Sequence, residues 1–237
     1  MSGKPDGCPA SPLEPRVQGR SARIATAETF LPFLSPDRRR VNPSSERAAL
    51  RKTLRQRRRQ LSPGQRIAGA EALADRLLAL PDLPATGYVA GYWATDGEIG
   101  LHAFQIRLPA GLIYCLPLLH ADGTLRFAPW RPGDPLVTNR YGIPEPDVHA
   151  EGALMAADMH LLVMPLVGFT AQCQRLGMGG GWYDRTLAFR RERPAPPLLV
   201  GVGFDEQQTA PIADAPWDIH PDLICTPTRT LHRCPSA

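Results

Sequence analysis

The stretch His160-Leu-Leu-Val-Met-Pro165, followed by Arg175-Leu-Gly-Met-Gly-Gly-Gly-Trp-Tyr-Asp-Arg185, carries the strongest fold signal in this sequence. Residues 160–164 form the most strand-like run of the chain, short and almost entirely apolar. The glycine-rich residues 177–181 then interrupt regular structure, and a helix is predicted over 182–191. A strand, a glycine-rich loop and a helix in this order are typical of α/β proteins.

Further strands and helices alternate on both sides of this unit. Ser62 and Pro63 predict the N-cap and first turn of a helix whose apolar residues repeat at helical spacing. Because most strands are continuously apolar, we expect a sheet that is covered on both faces. The pattern predicts an α/β three-layer sandwich with a largely parallel central sheet flanked by helices. Predicted helices span 46–60, 63–80, 100–108 and a stretch near 150–156, and predicted strands span 87–93, 112–116 (ending at Pro117), 124–130 (at an edge), 198–202 and 222–225.

The first 45 residues differ in composition from the rest of the chain. They are rich in Pro, Ser and Arg, and they offer too little apolar surface to offset the entropy of ordering. We expect a disordered N-terminal extension over 1–45, one α/β domain over 46–230 and a short tail over 231–237. A transit peptide is the alternative for the extension, and four acidic residues count against it: Asp6, Glu14, Glu28 and Asp37.

Composition excludes several classes of protein. Of 237 residues, 43% are hydrophobic and 21% charged, as expected for a globular protein with a substantial core. No apolar stretch approaches roughly 18 residues, so no membrane span is expected, and a secretory signal peptide is not apparent either. The five cysteines and six histidines lack metal-binding spacing, which favours reduced thiols in the cytoplasm over disulfides or a zinc site.

The formal charge of +4 raises the question of nucleic-acid binding. The densest basic run, 51–59, falls on one predicted helix without the interleaved aromatic residues that stack on bases. The pattern favours a solvated helix face, with an anion-binding face as the main alternative and nucleic-acid binding as the least favoured interpretation. We therefore expect no nucleic-acid partner.

The glycine run has the chemistry of an anion site. Without Cβ atoms, successive backbone N–H groups can converge on a phosphate, and the helix that follows adds its positive end. Arg175 and Arg185 flank the run with positive charge, and Asp184 could bind a divalent cation. The run matches neither the dinucleotide-binding fingerprint nor the Walker loop, so by spacing alone a flexible turn is the alternative.

The residues around the run resemble one family. Arg-Leu-Gly-x-Gly-x-Gly-x-Tyr-Asp, at 175–184, is the signature of the 5-formyltetrahydrofolate cyclo-ligases, also called methenyltetrahydrofolate synthetases. Other motifs follow in the family's order: Leu50-Arg51 with Leu61-Ser62-Pro63, Tyr92-Trp93 through Asp96-Gly-Glu-Ile99, Tyr141-Gly-Ile-Pro-Glu-Pro146, Pro165-Leu-Val-Gly-Phe169 and Trp217-Asp-Ile-His-Pro-Asp222. The resemblance covers about residues 46–229 and implies a cyclo-ligase-like, Rossmann-related fold.

The resemblance also implies an activity. Members of the family convert 5-formyltetrahydrofolate and ATP to 5,10-methenyltetrahydrofolate, ADP and phosphate with the help of Mg²⁺. The formyl oxygen is thought to attack the γ-phosphate, after which N10 closes the ring. An enzyme of this kind mainly positions two small molecules and neutralises phosphate charge. No membrane partner is implied, and we expect a monomer.

Site residues follow from the matched motifs. Folate contacts are expected from Trp93 and Glu98, Mg²⁺ ligands from Asp184 and Asp222, and catalytic roles from Arg175 and Asp184. Asp218 is expected to be a structural turn residue. The resemblance assigns ATP binding to Arg47, Arg51, Arg175, Leu176, Gly177, Met178, Gly179, Gly180, Gly181, Trp182 and Tyr183.

The chain departs from the family pattern at a few positions. Gly180 and Arg47 stand where many members carry lysine, which removes one positive charge at 180 and changes its geometry at 47. Met178 and Trp182 replace commoner tyrosines. Two rival functions remain open by sequence: another ATP-dependent or phosphosugar enzyme, and an RNA-binding module that uses the basic helix.

Overall fold

The computed structural model describes residues 43–234, so the extension predicted over 1–45 lies almost wholly outside the described residues. Helix α1 spans Pro43–Arg59 and α2 spans Pro63–Leu78. The side chain of Ser62 accepts from the amide of Gln65, and the Gln65 side chain accepts from the amide of Ser62, which forms a capping box. The cap explains why the chain turns sharply between the two helices.

A seven-stranded sheet forms the centre of the fold, in the order β11-β10-β9-β6-β1-β2-β3. The five inner strands are parallel, and the edge strands β3 and β11 are antiparallel to their neighbours. The strands are β1 Gly87–Ala90, β2 Leu112–Leu119, β3 Leu125–Pro129, β6 Leu161–Pro165, β9 Leu198–Val202, β10 Leu223–Cys225 and β11 Thr230–His232.

Shorter elements connect these strands. Helix α3 spans His102–Ile106 and α4 spans Trp182–Thr186. Two small antiparallel ladders join β4 Leu136–Thr138 to β5 Pro144–Pro146, and β7 Gly168–Phe169 to β8 Arg175–Leu176. Single turns of 3₁₀-helix span Ala150–Gly152, Ala156–Asp158, Ala188–Arg191 and Asp205–Gln207.

Apolar side chains cover both faces of the sheet, as strand β6 illustrates. Successive residues of a strand point to opposite faces, so Leu161 and Val163 pack in one cluster while Leu162 and Met164 pack in the other. All four side chains are fully buried. The predicted α/β sandwich with a largely parallel central sheet is confirmed.

Strand β2 runs past the proline at which it was predicted to end. Pro117 pairs with Phe127 of β3, whose amide and carbonyl both bond to Leu154 on the other side. Pro117 therefore sits at a non-hydrogen-bonded position of the ladder, where its missing N–H costs nothing. Strand β1 ends at Ala90, opposite Cys115, and does not reach the proline.

Other predicted bounds need correction. The helix predicted over 182–191 ends at Thr186 and continues only as 3₁₀ turns, and the stretch near 150–156 also forms 3₁₀ turns. The tail predicted from 231 is wrong for its first residues, because Thr230–His232 form β11 against β10. None of the helices between residues 43 and 234 combines the length and the apolar character that a membrane crossing requires.

Candidate active site

A cleft of about 690 Å³ opens at the carboxyl ends of the parallel strands β1, β2 and β6. Its lining includes Tyr92, Leu119 and Pro165, each at or just after the end of one of these strands. One wall is formed by α1, and another by the glycine run with α4. Ligands of open parallel sheets bind at this edge, so the cleft is the candidate active site.

Three arginines of α1 face the cleft because they are spaced by four residues. Arg47 Nη2 donates to Asp218 Oδ2 at 2.6 Å, and Arg51 Nε donates to the carbonyl of Gly177 at 2.9 Å. Arg55 Nη2 lies 3.1 Å from the sulfur of Met178. Burial and the neighbouring charges of Arg47 and Arg55 lower the pKa of Arg51. This wall is therefore strongly electropositive, as an anion site requires.

The other end of α1 corrects an expectation. A solvated helix face was one interpretation of the basic run, yet the side chain of Arg58 is only 1% exposed. Its Nη2 donates to the carbonyl of Asp96 at 2.8 Å and to the Asp96 carboxylate at 3.1 Å. Arg59 Nε also donates to Asp96, at 3.0 Å. The arginines of α1 are therefore divided among the protein interior, the cleft and the surface.

The glycine run lines the cleft with backbone. Gly179 and Gly181 have φ values of +101° and +67°, which side-chain-bearing residues rarely adopt. The amides of 177–181 donate to no other residue within 43–234. Helix α4 has only five residues, so the dipole contribution expected from the sequence is small. Leu176 is 1% exposed and packs in the core, so its predicted contact with ATP is wrong for its side chain.

Arg175 and Asp184 form a buried pair beside the glycine run. Arg175 Nη2 bonds to Asp184 Oδ1, and Arg175 Nε donates to the carbonyl of Ile219 at 2.7 Å. Asp184 Oδ1 also accepts from the amide of Ile219, at 3.1 Å. The two predicted catalytic residues are therefore brought together on the cleft wall. Arg185 instead donates to the carbonyls of Gly123 and Gly180, and so holds the loop in place.

The predicted magnesium ligands do not meet. Asp222 directly precedes β10, so it lies at the amino end of the parallel sheet, opposite the cleft. Its carboxylate accepts from Arg190 at 2.6 and 2.7 Å and from the amide of Leu199 at 2.8 Å. Asp218 lines the cleft instead, and the next residue, Ile219, donates its amide to Asp184. The structure therefore does not bring Asp222 to the cleft, contrary to the expectation for a magnesium ligand there.

The described residues contain no metal site built from protein ligands alone. Between residues 43 and 234, no three histidine, cysteine or acidic side chains gather closely enough to hold a metal ion. Magnesium usually needs only one or two protein carboxylates, because substrate phosphates and water complete its shell. Asp184 and Asp218 on one wall of the cleft fit that pattern.

Glu98 and Trp93 lie at the other end of the cleft, on the loop after β1. Glu98 Oε2 accepts from the amide of Thr95 at 3.0 Å, and burial raises the pKa of the carboxyl group. Trp93 contacts Trp130 edge-to-face with ring centroids 5.9 Å apart, and it keeps 38% of its surface exposed. A half-buried acceptor beside an exposed indole suits a flat, N–H-bearing ring.

The β4–β5 hairpin completes the mouth of the cleft. Asn139 Oδ1 accepts from the amides of Tyr141 and Ile143, and Glu145 fastens the hairpin by accepting from the amide of Leu119 at 3.2 Å. Residues 141–145 of the matched motif 141–146 line the cleft. The hairpin itself and Asn139 were missed, since a turn-rich, proline-rich passage conceals short strands.

An aromatic and cationic cluster covers the glycine run. Trp182 contacts Tyr141 edge-to-face at 6.2 Å, and the guanidinium carbons of Arg140 and Arg185 lie 5.4 and 5.1 Å from its ring centroid. A Cβ at Gly180 would lie 3.0 Å from Cδ1 of Trp182, so glycine at 180 suits tryptophan at 182. Trp217, also missed, lies exposed on the cleft wall.

Comparison with known proteins agrees with this geometry. Residues 43–227 match the model of the 5-formyltetrahydrofolate cyclo-ligase family. The chain belongs to the 5-formyltetrahydrofolate cyclo-ligase family. This assignment, made from the glycine run and its flanking motifs, is thereby confirmed, as is the cyclo-ligase class of enzyme.

Individual relatives cover most of the described fold. The 5-formyltetrahydrofolate cyclo-ligase of Escherichia coli K12 is 35% identical over 179 residues, which is 74% of this chain and 97% of the relative. That of Haemophilus influenzae is 30% identical over 180 residues, 74% of this chain and 95% of the relative. The NMR structure of Aquifex aeolicus 5,10-methenyltetrahydrofolate synthetase is 25% identical, with a TM-score of 0.68 over 81% of this chain and 94% of that one.

Proposed function

We propose that this cyclo-ligase family member converts 5-formyltetrahydrofolate to 5,10-methenyltetrahydrofolate with consumption of ATP, and that the reaction requires Mg²⁺. One observation carries the proposal. A single cleft has arginines and glycine backbone at one end, and a half-buried carboxylate beside an exposed tryptophan at the other. Two ligands, one polyanionic and one flat and heteroaromatic, would therefore meet inside it.

The nucleotide end is suited to phosphate. Arg47 and Arg51 approach the glycine run from α1, and Arg175 approaches it from β8. Guanidinium groups and unpaired backbone amides together bind phosphate oxygens in the geometry that phosphoryl transfer needs. Arg140 and Arg185, stacked near Trp182, add positive charge on the side where Gly180 lacks a side chain.

The folate end is suited to a pterin. Glu98 is the acceptor for ring N–H groups, and Trp93 supplies an apolar surface. In the proposed reaction the formyl oxygen bonds to the γ-phosphorus while the bond to ADP breaks. N10 then bonds to the formyl carbon, phosphate leaves with the former formyl oxygen, and the N10 proton is released. The chain's own residues hold the reacting atoms in line.

Asp184 and Asp218 are the residues that would hold magnesium. Both line the cleft next to the glycine run, and each has one carboxylate oxygen engaged by arginine: Asp184 by Arg175 and Asp218 by Arg47. A bound Mg²⁺ would neutralise charge on the transferred phosphate. The arginine partners orient both carboxylates for this role.

The RNA-binding alternative loses its main support. Three of the arginines on which it depended, Arg55, Arg58 and Arg59, are directed at the carboxylate of Asp96. Because these ion pairs hold the side chains against Asp96, and Arg58 is buried, fewer arginines remain free to meet a phosphate backbone. No observation favours the alternative of a phosphosugar substrate.

The test mixes purified full-length protein with 5-formyltetrahydrofolate, ATP and Mg²⁺. We expect the near-ultraviolet absorbance of the methenyl product to appear together with ADP and phosphate in equal amounts. Omission of ATP or chelation of Mg²⁺ should each abolish the signal. A folded sample that forms no methenyl product, or forms it without ATP, would contradict the proposal. Steeply salt-dependent RNA binding without ATP turnover would instead favour the RNA-binding module.

A further inference from the structure

Asp96 receives an unusual concentration of positive charge. Its carboxylate bonds to Arg58 and Arg59, and Arg55 Nε lies 3.5 Å from Oδ2. These arginines all belong to the last turns of α1, whose earlier turns carry Arg47 and Arg51. Asp96 therefore joins the helix of the nucleotide end to the loop that carries Glu98.

The backbone of this loop directs the side chains of Asp96 and Glu98 to different partners. Glu98 donates its amide to the carbonyl of Thr95 at 2.9 Å, which closes a tight turn. Asp96 and Gly97 in the middle of the turn have φ values of +50° and +78°. Aspartate and glycine are among the residues that tolerate this conformation best. The turn directs Asp96 to α1, while Glu98 folds back on Thr95 beside the cleft.

The buried Arg58 bonds to Asp96, two residues before Glu98 in the same turn. It donates to the carbonyl and the carboxylate of Asp96, and its Nε has no partner within residues 43–234. Arg58 bonds to the carbonyl of Asp96 in the turn that the Glu98 amide closes on Thr95, which brings the guanidinium to the loop that carries Glu98. Burial raises the pKa of Glu98, and the positive charge of Arg58 lowers it in part. A buried guanidinium is stable only beside an anion, so Arg58 would pair with Glu98 if Asp96 lost its charge.

We propose that Asp96 is a positioning residue that binds Arg58 and so keeps the Glu98 carboxylate free for the second substrate. The inference rests on the proposed function, since it gives that substrate as 5-formyltetrahydrofolate. Asp96 is at the rim of the cleft, with its carboxylate held by arginines of α1. It acts through the ion pair with Arg58.

The first test is Asp96→Asn, which preserves shape and removes the charge. Arg58 then turns to Glu98, and we expect KM for 5-formyltetrahydrofolate to rise about tenfold, the effect of losing one charged hydrogen bond. KM for ATP and kcat at saturation should stay within about twofold, because the turn and the hydrogen bond to the Asp96 carbonyl remain. A general loosening of α1 would instead raise KM for both substrates.

The decisive test adds Arg58→Gln to Asp96→Asn. Glutamine can still donate to the buried carbonyls but carries no charge, so Glu98 has no competing partner. We expect KM for 5-formyltetrahydrofolate to return to within about threefold of the wild-type value, a coupling that a double-variant cycle measures. A purely structural role for Asp96 predicts the opposite, namely further loss in the double variant. Arg58→Met serves in the same role if the glutamine variant does not fold.

The matched control is Asp75→Asn, which breaks an exposed pair with Arg107 at 2.6 Å on the surface of α2 and α3. It should leave both KM values unchanged, and thermal unfolding should show that every variant is folded. An unchanged KM in Asp96→Asn, or no recovery in the double variant, would overturn the proposal while the wild type stays active. A wild type that neither binds nor converts 5-formyltetrahydrofolate would overturn the proposed function itself.

Discussion

Glu98 is the residue on which recognition of the folate should depend most directly. The Glu98→Gln variant keeps the shape of the side chain and removes its charge, so we expect kcat/KM for 5-formyltetrahydrofolate to fall by roughly 10- to 100-fold. Affinity for ATP should not change. Burial raises the pKa of Glu98, so wild-type affinity for the folate should fall as the pH drops through that raised pKa, starting at a higher pH than for an ordinary glutamate.

The control for this prediction is Glu71→Gln, which changes an exposed acid on α2. It should alter neither affinity nor its pH dependence. Steady-state kinetics and folate titrations between about pH 4 and 8 provide the measurement, within which a glutamate of raised pKa titrates. A Glu98→Gln variant that retains the acid limb of the wild-type profile would show that another group is responsible.

Asp218 and Asp222 are only four residues apart, yet opposite outcomes are expected for their asparagine variants. Asp218→Asn should raise the Mg²⁺ concentration needed for half-maximal turnover at least several-fold, because it weakens one of two carboxylates at the phosphate end. Asp222→Asn should leave that requirement unchanged and lower the free energy of unfolding by about 2 kcal/mol, because Arg190 is buried against it.

Magnesium titrations of activity and denaturant unfolding curves separate these two effects. Asp184→Asn is the matched variant for the first of them, and it should resemble Asp218→Asn while leaving folate affinity intact. If Asp222→Asn were the variant that raised the Mg²⁺ requirement, the original assignment from the motif would be restored.

At the level of elements, the arginines of helix α1 point in two directions, some into the cleft and one into the protein interior. Arg47, Arg51 and Arg55 are spaced by four and face the cleft, while Arg58 lies inward between β6 and the loop after β1. Helical spacing predicts the first face directly. Burial of Arg58 has no local signal, because it depends on Asp96 being delivered from a distant turn.

Strand direction decided which acids reach the cleft. A residue just before a parallel strand lies at the amino edge, whereas one just after it lies at the carboxyl edge. Asp222 precedes β10, and Glu98 follows β1. This rule could have excluded Asp222 from the sequence alone, since the strand at 222–225 was correctly located. The place of Asp218 could not have been derived in the same way, because it lies in an irregular loop.

At the scale of the whole molecule, we expect the N-terminal and C-terminal segments to differ in their contribution to activity and stability. Removal of residues 1–40 or of 235–237 should leave kcat, KM and the unfolding temperature nearly unchanged, because the family match spans 43–227 and the cleft is built within it. Removal of 230–237 should lower the unfolding temperature by several degrees, because it deletes β11 and exposes the edge of β10.

Thermal unfolding and the methenyl assay on the three shortened chains test this contrast. Loss of activity on removal of 1–40 would contradict the view that the extension is dispensable. Equal stability of the chains ending at 229 and at 234 would show that β11 contributes nothing. Size-exclusion chromatography of the same samples would test the predicted monomer.

The sequence by itself determined the family, the sandwich fold, the glycine run and several residues of the cleft, including Arg51, Glu98 and Asp184. These features are encoded locally, because apolar periodicity specifies strands and helices, and left-handed backbone at 179 and 181 calls for glycine. Only the tertiary structure decided that Asp218 lies at the site, that Arg58 is buried against Asp96, and that residues 230–232 pair with β10. Each of these features depends on contacts between charged residues or strand edges that are brought together only when the chain folds. The spacing of residues along the sequence does not specify those contacts.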